Sequence, residues 1–213
     1  MPPCRRLCPA ACLLSALAVV APLVAQRGDA PDARPRPAVD QLALFHLPPG
    51  FAIQLVAAEP DLGKPLNLAF DAAGRLWVTT TRHYPWPART DALGRPIADF
   101  TRDWEDNHLA FRGLVRPPEP ETQARDQLIV LSAFDPVTGR AGRAEVFADG
   151  LNIPVGVTPL PRAPGSRGDA VIVHSIPGIW RLEDTDGDGR ADRRELLYSG
   201  FGFKDTHGMA SSF

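Results

Sequence analysis

The distribution of apolar residues along the chain predicts short β-strands. Residues 50–60, GFAIQLVAAEP, alternate apolar and polar side chains, which is the pattern of a strand with one buried face. Residues 65–82 hold two β-rich runs on either side of residues 71–74, DAAG, and the glycine suits the positive-φ position of a hairpin turn. Order is therefore expected to begin near Leu42 with antiparallel strands.

Further along, the chain repeats itself with a spacing of 50 residues. Residues 129–150 lie over residues 179–200 without a gap, with seven identical positions in register. A repeat of about 50 residues built from short strands is typical of propeller blades, each with four strands. In the second copy these strands are predicted at residues 154–160, 170–175, 179–183 and 194–199.

This repeat predicts an all-β fold, a partial β-propeller over residues 42–213 with about three four-stranded antiparallel blades. Some 170 ordered residues supply roughly three blades, whereas a closed propeller has about four to eight. The chain also stops inside an expected inner strand. We therefore expect an open N-terminal fragment of a longer polypeptide, or a truncated gene product.

The segment from 83 to 126 interrupts the strand pattern and is interpreted as an insertion loop. It is rich in proline at both ends, and a short helix is predicted over residues 98–109. His83, Tyr84 and Trp86 stand close together in its first part. They either line the mouth of a ligand site or are aromatic side chains buried in a proline-rich turn.

The N-terminus has the features of a secretory signal. Two arginines precede an apolar run over residues 10–25, which is shorter than a comfortable membrane span of about 20 residues. We predict a signal peptide over residues 1–25 and a disordered linker over residues 26–41. The protein is then exported to the periplasm or the exterior, with an uncleaved anchor and membrane association as the alternative.

Composition excludes several kinds of site and argues against one class of partner. All three cysteines lie in the predicted signal peptide, so the mature chain has no disulfide, no zinc–thiolate site and no haem attachment motif. The formal charge of the chain is −2 and no basic stripe is present, which argues against a nucleic-acid partner.

The most specific motif is DTDGDGRADRRE at residues 184–195. Its acidic residues follow the spacing of an EF-hand calcium loop, with Gly189 at the sharp turn. The flanking residues are strand-like, so the loop is expected to join the third and fourth strands of a blade. A structural calcium site is predicted, and a solvated acidic turn is the alternative.

The ligands of this site are predicted from the loop spacing. Because Glu195 should already belong to a strand, its side chain is fixed to one face of the sheet and can complete the shell only in part. The predicted set is Asp184, Asp186, Asp188 and Asp192, the backbone carbonyl of Arg190, water and Glu195.

A second candidate is the pair Asp205 and His207 in GFKDTHGMASSF. A histidine beside an aspartate can act as a general base near neutral pH. We predict that His207 begins an inner strand facing the channel of the propeller. A histidine hydrogen-bonded within a turn is the alternative interpretation.

Three segments together resemble a known family. Residues 45–87, 145–157 and 179–207 look like the bacterial membrane-bound dehydrogenase domain, which is similar to the soluble quinoprotein glucose and sorbosone dehydrogenases. The resemblance implies a six-bladed propeller, further C-terminal blades and often a c-type cytochrome domain. It also implies that His207 takes the proton of a substrate hydroxyl while hydride passes to pyrroloquinoline quinone. The family often has a second histidine next in sequence, where this chain has Gly208.

Three functions remain open from the sequence. The first is part of an exported, quinone-dependent sugar or alcohol dehydrogenase that is inactive as this fragment alone. The second is a calcium-stabilised propeller that binds carbohydrate or a partner protein without catalysis. The third is an inactive truncated remnant.

Overall fold

The computed structural model describes residues 36–107 and 118–211. The chain divides into two units, residues 1–36 and 37–213, and the second unit contains every described helix and strand. The predicted signal peptide and most of the predicted linker lie outside the described residues. The elements follow the order α1 (Ala38–Leu42), β1 (Lys64–Phe70), β2 (Leu76–Thr81), α2 (Phe100–Glu105), β3 (Asp126–Ser132), β4 (Arg143–Leu151), β5 (Gly156–Pro159), β6 (Ala170–Ser175), β7 (Gly178–Glu183) and β8 (Arg193–Tyr198).

The strands form two four-stranded antiparallel sheets, β1-β2-β3-β4 and β5-β6-β7-β8. Each strand pairs with the next along the chain, which is the connectivity of a propeller blade. The predicted hairpin is β1–β2, and the four strands predicted in the second repeat are β5 to β8. The prediction of an open, all-β array of four-stranded blades is confirmed, with two complete sheets in the described part of the chain.

A shared apolar core joins the two sheets. Alternate residues of the inner strands point into it, so that Val171 and Val173 of β6 are fully buried. Trp77 of the first sheet is 1% exposed and lies edge-on to Phe147, with 4.7 Å between ring centroids. Trp180 of the second sheet belongs to the same cluster. Each such side chain contributes about 1.5–3 kcal/mol on burial, so the two sheets stabilise one another.

The strand predicted at residues 50–60 is wrong, and the described residues form two sheets where about three were expected. The segment has no strand pairing. Its apolar residues, with Val56 and Ala57 among them, instead cover the outer face of the first sheet. The Val56 carbonyl accepts a 2.8 Å hydrogen bond from the Ala141 amide. The apolar residues of this segment therefore pack against the first sheet, but the segment does not pair with it as a further strand.

The insertion is ordered around a second apolar cluster. Helix α2 lies within the predicted helical range, although residues 108–117 fall outside the described part. Phe100 packs on Trp104 and on Phe203, with ring centroids 5.5 and 5.2 Å apart. The insertion therefore holds the segment that leads to His207.

The start of order differs slightly from the prediction. Helix α1 follows Pro37 and occupies the end of the segment predicted to be a disordered linker. It buries no residue. Within the described ranges, no helix has the length and apolar character needed to cross a membrane.

Candidate functional site

The acidic loop between β7 and β8 brings three carboxylates together. Asp184, Asp186 and Asp188 each offer an oxygen, and the three oxygens lie within 4.8 Å of one another. Carboxylate oxygens are the ligands that hard cations such as calcium prefer. The three side chains could therefore hold a metal ion.

Hydrogen bonds within the loop set its shape. The buried carboxylate of Asp184 accepts bonds from the amides of Gly187 and Gly189, at 2.7 and 3.0 Å. Gly189 has a φ of +88°, a conformation that side chains disfavour. A side chain at Gly168 would collide with the Asp184 carboxylate. Glycines therefore allow the chain to wrap closely around Asp184.

Arg190 follows the turn and has both local and distant contacts. Its amide donates to the Asp188 carboxylate at 2.8 Å. Its guanidinium lies 3.6 Å from the Asp149 carboxylate of β4. The residue predicted to supply a carbonyl ligand therefore also links the acidic loop to the first sheet.

Asp192 and Glu195, two of the predicted ligands, lie apart from the three-carboxylate cluster. Asp192 accepts bonds from the hydroxyl and the amide of Thr185, at 2.6 and 3.0 Å, and these bonds lower the pKa of Asp192. Glu195 lies in β8 opposite Arg181, with its carboxylate 3.8 Å from Arg193. The strand holds Glu195 in place, as its position in the sequence predicted.

The structure brings Asp205 and His207 together, but in a turn. The His207 Nδ1 atom lies 3.2 Å from the Asp205 carboxylate, which also accepts a 2.9 Å bond from the His207 amide. The Gly208 amide donates to the Asp205 carbonyl at 3.3 Å. The prediction that His207 begins a strand is wrong, because the Asp205 side chain and carbonyl fold these residues into a turn.

Tyr84 and Lys64 lie next to this turn. The Tyr84 ring is edge-on to the His207 ring, with 5.5 Å between centroids. Burial, with the nearby negative charge of Asp205, raises the pKa of Tyr84. The Lys64 ammonium donates to the Tyr84 carbonyl at 3.1 Å and lies 5.7 Å from the ring centroid. The ammonium of Lys64, the phenol of Tyr84, the imidazole of His207 and the carboxylate of Asp205 therefore lie close together.

Asn67 connects the His207 turn to both sheets. Its side-chain amide donates to the carbonyls of Val155 and Ser211, each at 2.6 Å. Asn67 lies in β1, Val155 directly precedes β5, and Ser211 follows the His207 turn. The first strands of both sheets therefore meet the turn at one residue.

Of the aromatic trio at the start of the insertion, His83 is 6% exposed and its Nε2 accepts a 2.9 Å bond from the Arg125 amide. Trp86 packs against Trp104, with 5.4 Å between centroids. His83 is therefore buried, whereas Tyr84 and Trp86 are half-buried. His83, Tyr84 and Trp86 also line a cleft of about 200 Å³.

The sequence interpretation missed His174, which is fully buried in β6. Neither ring nitrogen has a hydrogen-bond partner within the described residues. Burial lowers the pKa of His174 to about 4, so the ring is neutral at physiological pH. The apolar run AVIVHS at residues 170–175 could have predicted this burial. A histidine within such an apolar strand loses its hydrating water when the strand is buried.

Fold and site together define an all-β protein of antiparallel blades with an acidic loop at one strand connection. The chain belongs to a family described as a domain of unknown function, DUF7133, whose model matches residues 38–213. Comparison with curated proteins gives no match, and comparison with solved structures gives none.

Proposed function

We propose that this chain forms part of an exported propeller of the dehydrogenase type. A structural calcium ion on Asp184, Asp186 and Asp188 stiffens the second blade. A histidine–aspartate pair accepts the proton of a sugar or alcohol hydroxyl. The observation that carries the catalytic part is the 3.2 Å contact between His207 and Asp205, at the place where β1 and the approach to β5 meet.

The pair suits proton abstraction. With its Nδ1–H donated to Asp205, the imidazole has Nε2 as its basic nitrogen, and the carboxylate stabilises the imidazolium that forms. Since the pKa of Tyr84 is raised, the phenol keeps its proton and can donate a hydrogen bond to a substrate oxygen. Lys64 adds a positive charge that favours a developing alkoxide.

The quinone implied by the family resemblance fits these residues only in part. Pyrroloquinoline quinone carries three carboxylates and needs several cations around it. Around the His207 turn, the described residues supply Lys64, while Lys204 is paired with Asp106 at 2.6 Å. These residues do not make a quinone site, so no hydride step is assigned to them.

The test is dye-linked oxidation of sugars and alcohols with added calcium and quinone. The assay compares this chain with the longest polypeptide that its gene expresses. We expect activity in the longer product, a fall in kcat of about 10²–10⁴-fold for His207→Gln, and no activity in the 213-residue chain. An inactive longer product, or full activity in His207→Gln, would remove the catalytic assignment.

A non-catalytic propeller that binds carbohydrate or a protein partner is the second candidate. It is favoured by the 46% exposure of the His207 side chain, because a catalytic base usually works in a site that excludes water. Saccharide binding by the longer product without any dye reduction, at saturating calcium and quinone, would select this function.

A further inference from the structure

Two arginines stand side by side at the end of the β2–β3 ladder. The β2–β3 ladder ends at the pair Thr80 and Gln127. Arg82 directly follows Thr81 and Arg125 directly precedes Asp126, and the Thr81 hydroxyl donates to the Asp126 carboxylate at 2.7 Å. Both arginines line the same two clefts, and like charges near one another are destabilising. An anion between the two arginines would remove that cost.

Neither arginine has a strong partner of its own. Across residues 36–107 and 118–211, no carboxylate lies within ion-pair distance of Arg82. Arg125 reaches Glu121 at 3.9 Å, with the Arg125 side chain 64% exposed, which makes a weak pair. The Gln127 side-chain amide likewise has no hydrogen-bond partner in these ranges. Three donor-rich side chains are therefore available together.

The backbone beneath the arginines is held rigidly. The Asp126 side chain is fully buried and accepts bonds from the amides of Arg82 and Ile153, at 2.6 and 2.8 Å. On the neighbouring strand, the Arg125 amide donates to the His83 ring at 2.9 Å. Both arginines thus project from positions that buried side chains fix, so little ordering of the backbone is needed on binding.

Two clefts open on this group, with volumes of about 420 and 350 Å³. Arg82, Arg125 and Gln127 line both clefts, and we call the space around these three side chains the arginine cleft. Their volumes suit a small-molecule ligand. Asp149 also lines the first cleft, and Glu59 and Asp126 also line the second. Each cleft therefore combines the two cationic side chains with at least one carboxylate.

We infer that the arginine cleft binds a sugar acid, with the ligand carboxylate on Arg82 and Arg125 and its hydroxyls on Gln127, Asp149 and Glu59. Guanidinium groups match a carboxylate in two-point hydrogen bonds. The carboxylates of Asp149 and Glu59 accept hydrogen bonds from hydroxyl groups but repel a polyanion. This arrangement favours a monoanionic, polyhydroxylated ligand over phosphate or sulfate, and it is independent of His207 and its proposed role.

The experiment is calorimetric titration of the purified chain at low ionic strength with D-glucuronate, D-glucose and inorganic phosphate. We expect saturable glucuronate binding, with glucose and phosphate roughly 10-fold weaker or more, since glucose lacks the charged hydrogen bonds to the arginines and phosphate lacks the hydroxyl contacts. Arg82→Gln and Arg125→Gln should each weaken glucuronate binding by roughly 10-fold or more. Arg143→Gln, an exposed arginine of β4 outside the cleft, is the matched control and should bind as the parent does.

Circular dichroism and thermal melting establish that each variant is folded before titration. The inference is overturned if folded parent chain does not bind glucuronate, or if both cleft variants bind it unchanged. Equal affinity for phosphate would also overturn it, because the cleft would then recognise an anion without the sugar.

Discussion

The amide of Ala191 donates a 2.7 Å hydrogen bond to the carbonyl of Phe147. Ala191 belongs to the acidic loop, whereas Phe147 lies in β4 of the other sheet and in the shared core. Order in the loop is therefore coupled to the packing of the two sheets. An ion that fixes the loop should stabilise both sheets together.

The first prediction concerns calcium. Calcium at about 100 times its dissociation constant should stabilise the chain by about 2.7 kcal/mol. Asp186→Ala should abolish this gain, because it removes one of the three clustered carboxylates. Glu195→Gln should only weaken it, because Glu195 lies in β8 apart from the cluster. Thermal melts with and without calcium, together with calorimetric titration, measure both effects.

Asp135→Ala is the control for the acidic loop. Asp135 occupies the corresponding loop of the first sheet, where it accepts bonds from the Val137 and Thr138 amides at 3.0 and 2.6 Å. This substitution should lower stability without changing the response to calcium. Complete loss of calcium binding in Glu195→Gln would contradict the assignment and show that the loop binds as an EF-hand does.

The second prediction concerns pH and His174. The pKa of His174 is about 4 in the folded chain against 6.5 for the ordinary side chain. Between these values only the unfolded state takes up the proton, so stability is present above pH 6.5 and is lost as the pH falls towards 4. The loss should be about 3 kcal/mol. Urea denaturation across this range measures it.

His174→Leu should remove this part of the pH dependence, because leucine does not titrate. His46→Gln, at an exposed histidine, should leave it in place. If His174→Leu shows the same slope of stability against pH as the parent chain, another group is responsible for the loss.

The third prediction concerns Asp126. Its buried carboxylate accepts bonds from one hydroxyl and from backbone amides of two segments. Asp126→Ala should cost more than about 3 kcal/mol, since several buried donors lose their acceptor at once. Asp106→Ala removes only an exposed pair with Lys204 and should cost less than about 1 kcal/mol. Equal losses in chemical denaturation would show that Asp126 has no special role.

The fourth prediction concerns the link between the sheets at Arg75. Its guanidinium lies 2.7 Å from Asp71 in the β1–β2 turn and 2.7 Å from Asp169 before β6. The bond to Asp169, opposed by burial and aided by Asp71, raises the pKa of Arg75. A double-mutant cycle of Arg75→Gln and Asp169→Asn should give a coupling energy of about 1 kcal/mol that falls with added salt.

The Lys204–Asp106 pair is the matched comparison for that cycle, with side chains 54% and 48% exposed. Its coupling should be close to zero, because water screens both charges. A coupling at Arg75 no larger than this would mean that the Arg75–Asp169 pair does not help to hold the sheets together.

The sequence by itself predicted the β1–β2 hairpin, the four strands of the second sheet and the acidic loop that joins two of them. Local features were sufficient: the turn at residues 71–74, the repeat of 50 residues, and carboxylates whose spacing within one loop brings them together. These features depend on contacts between residues close in the chain, or on a repeat that copies one blade onto the next. Three of the predicted ligands, Asp184, Asp186 and Asp188, accordingly lie together.

Only the tertiary structure decided the rest. Alternation at residues 50–60 shows that one side is buried, but it does not say whether the segment pairs into a sheet or covers one. Arg82 and Arg125 are 43 residues apart in the sequence, and the pairing of β2 with β3 across the insertion makes them neighbours. The packing around β6 buries the His174 ring and leaves its two nitrogens without a hydrogen-bond partner among the described residues. Contacts between distant segments depend on how the sheets pack, and no local pattern records that packing.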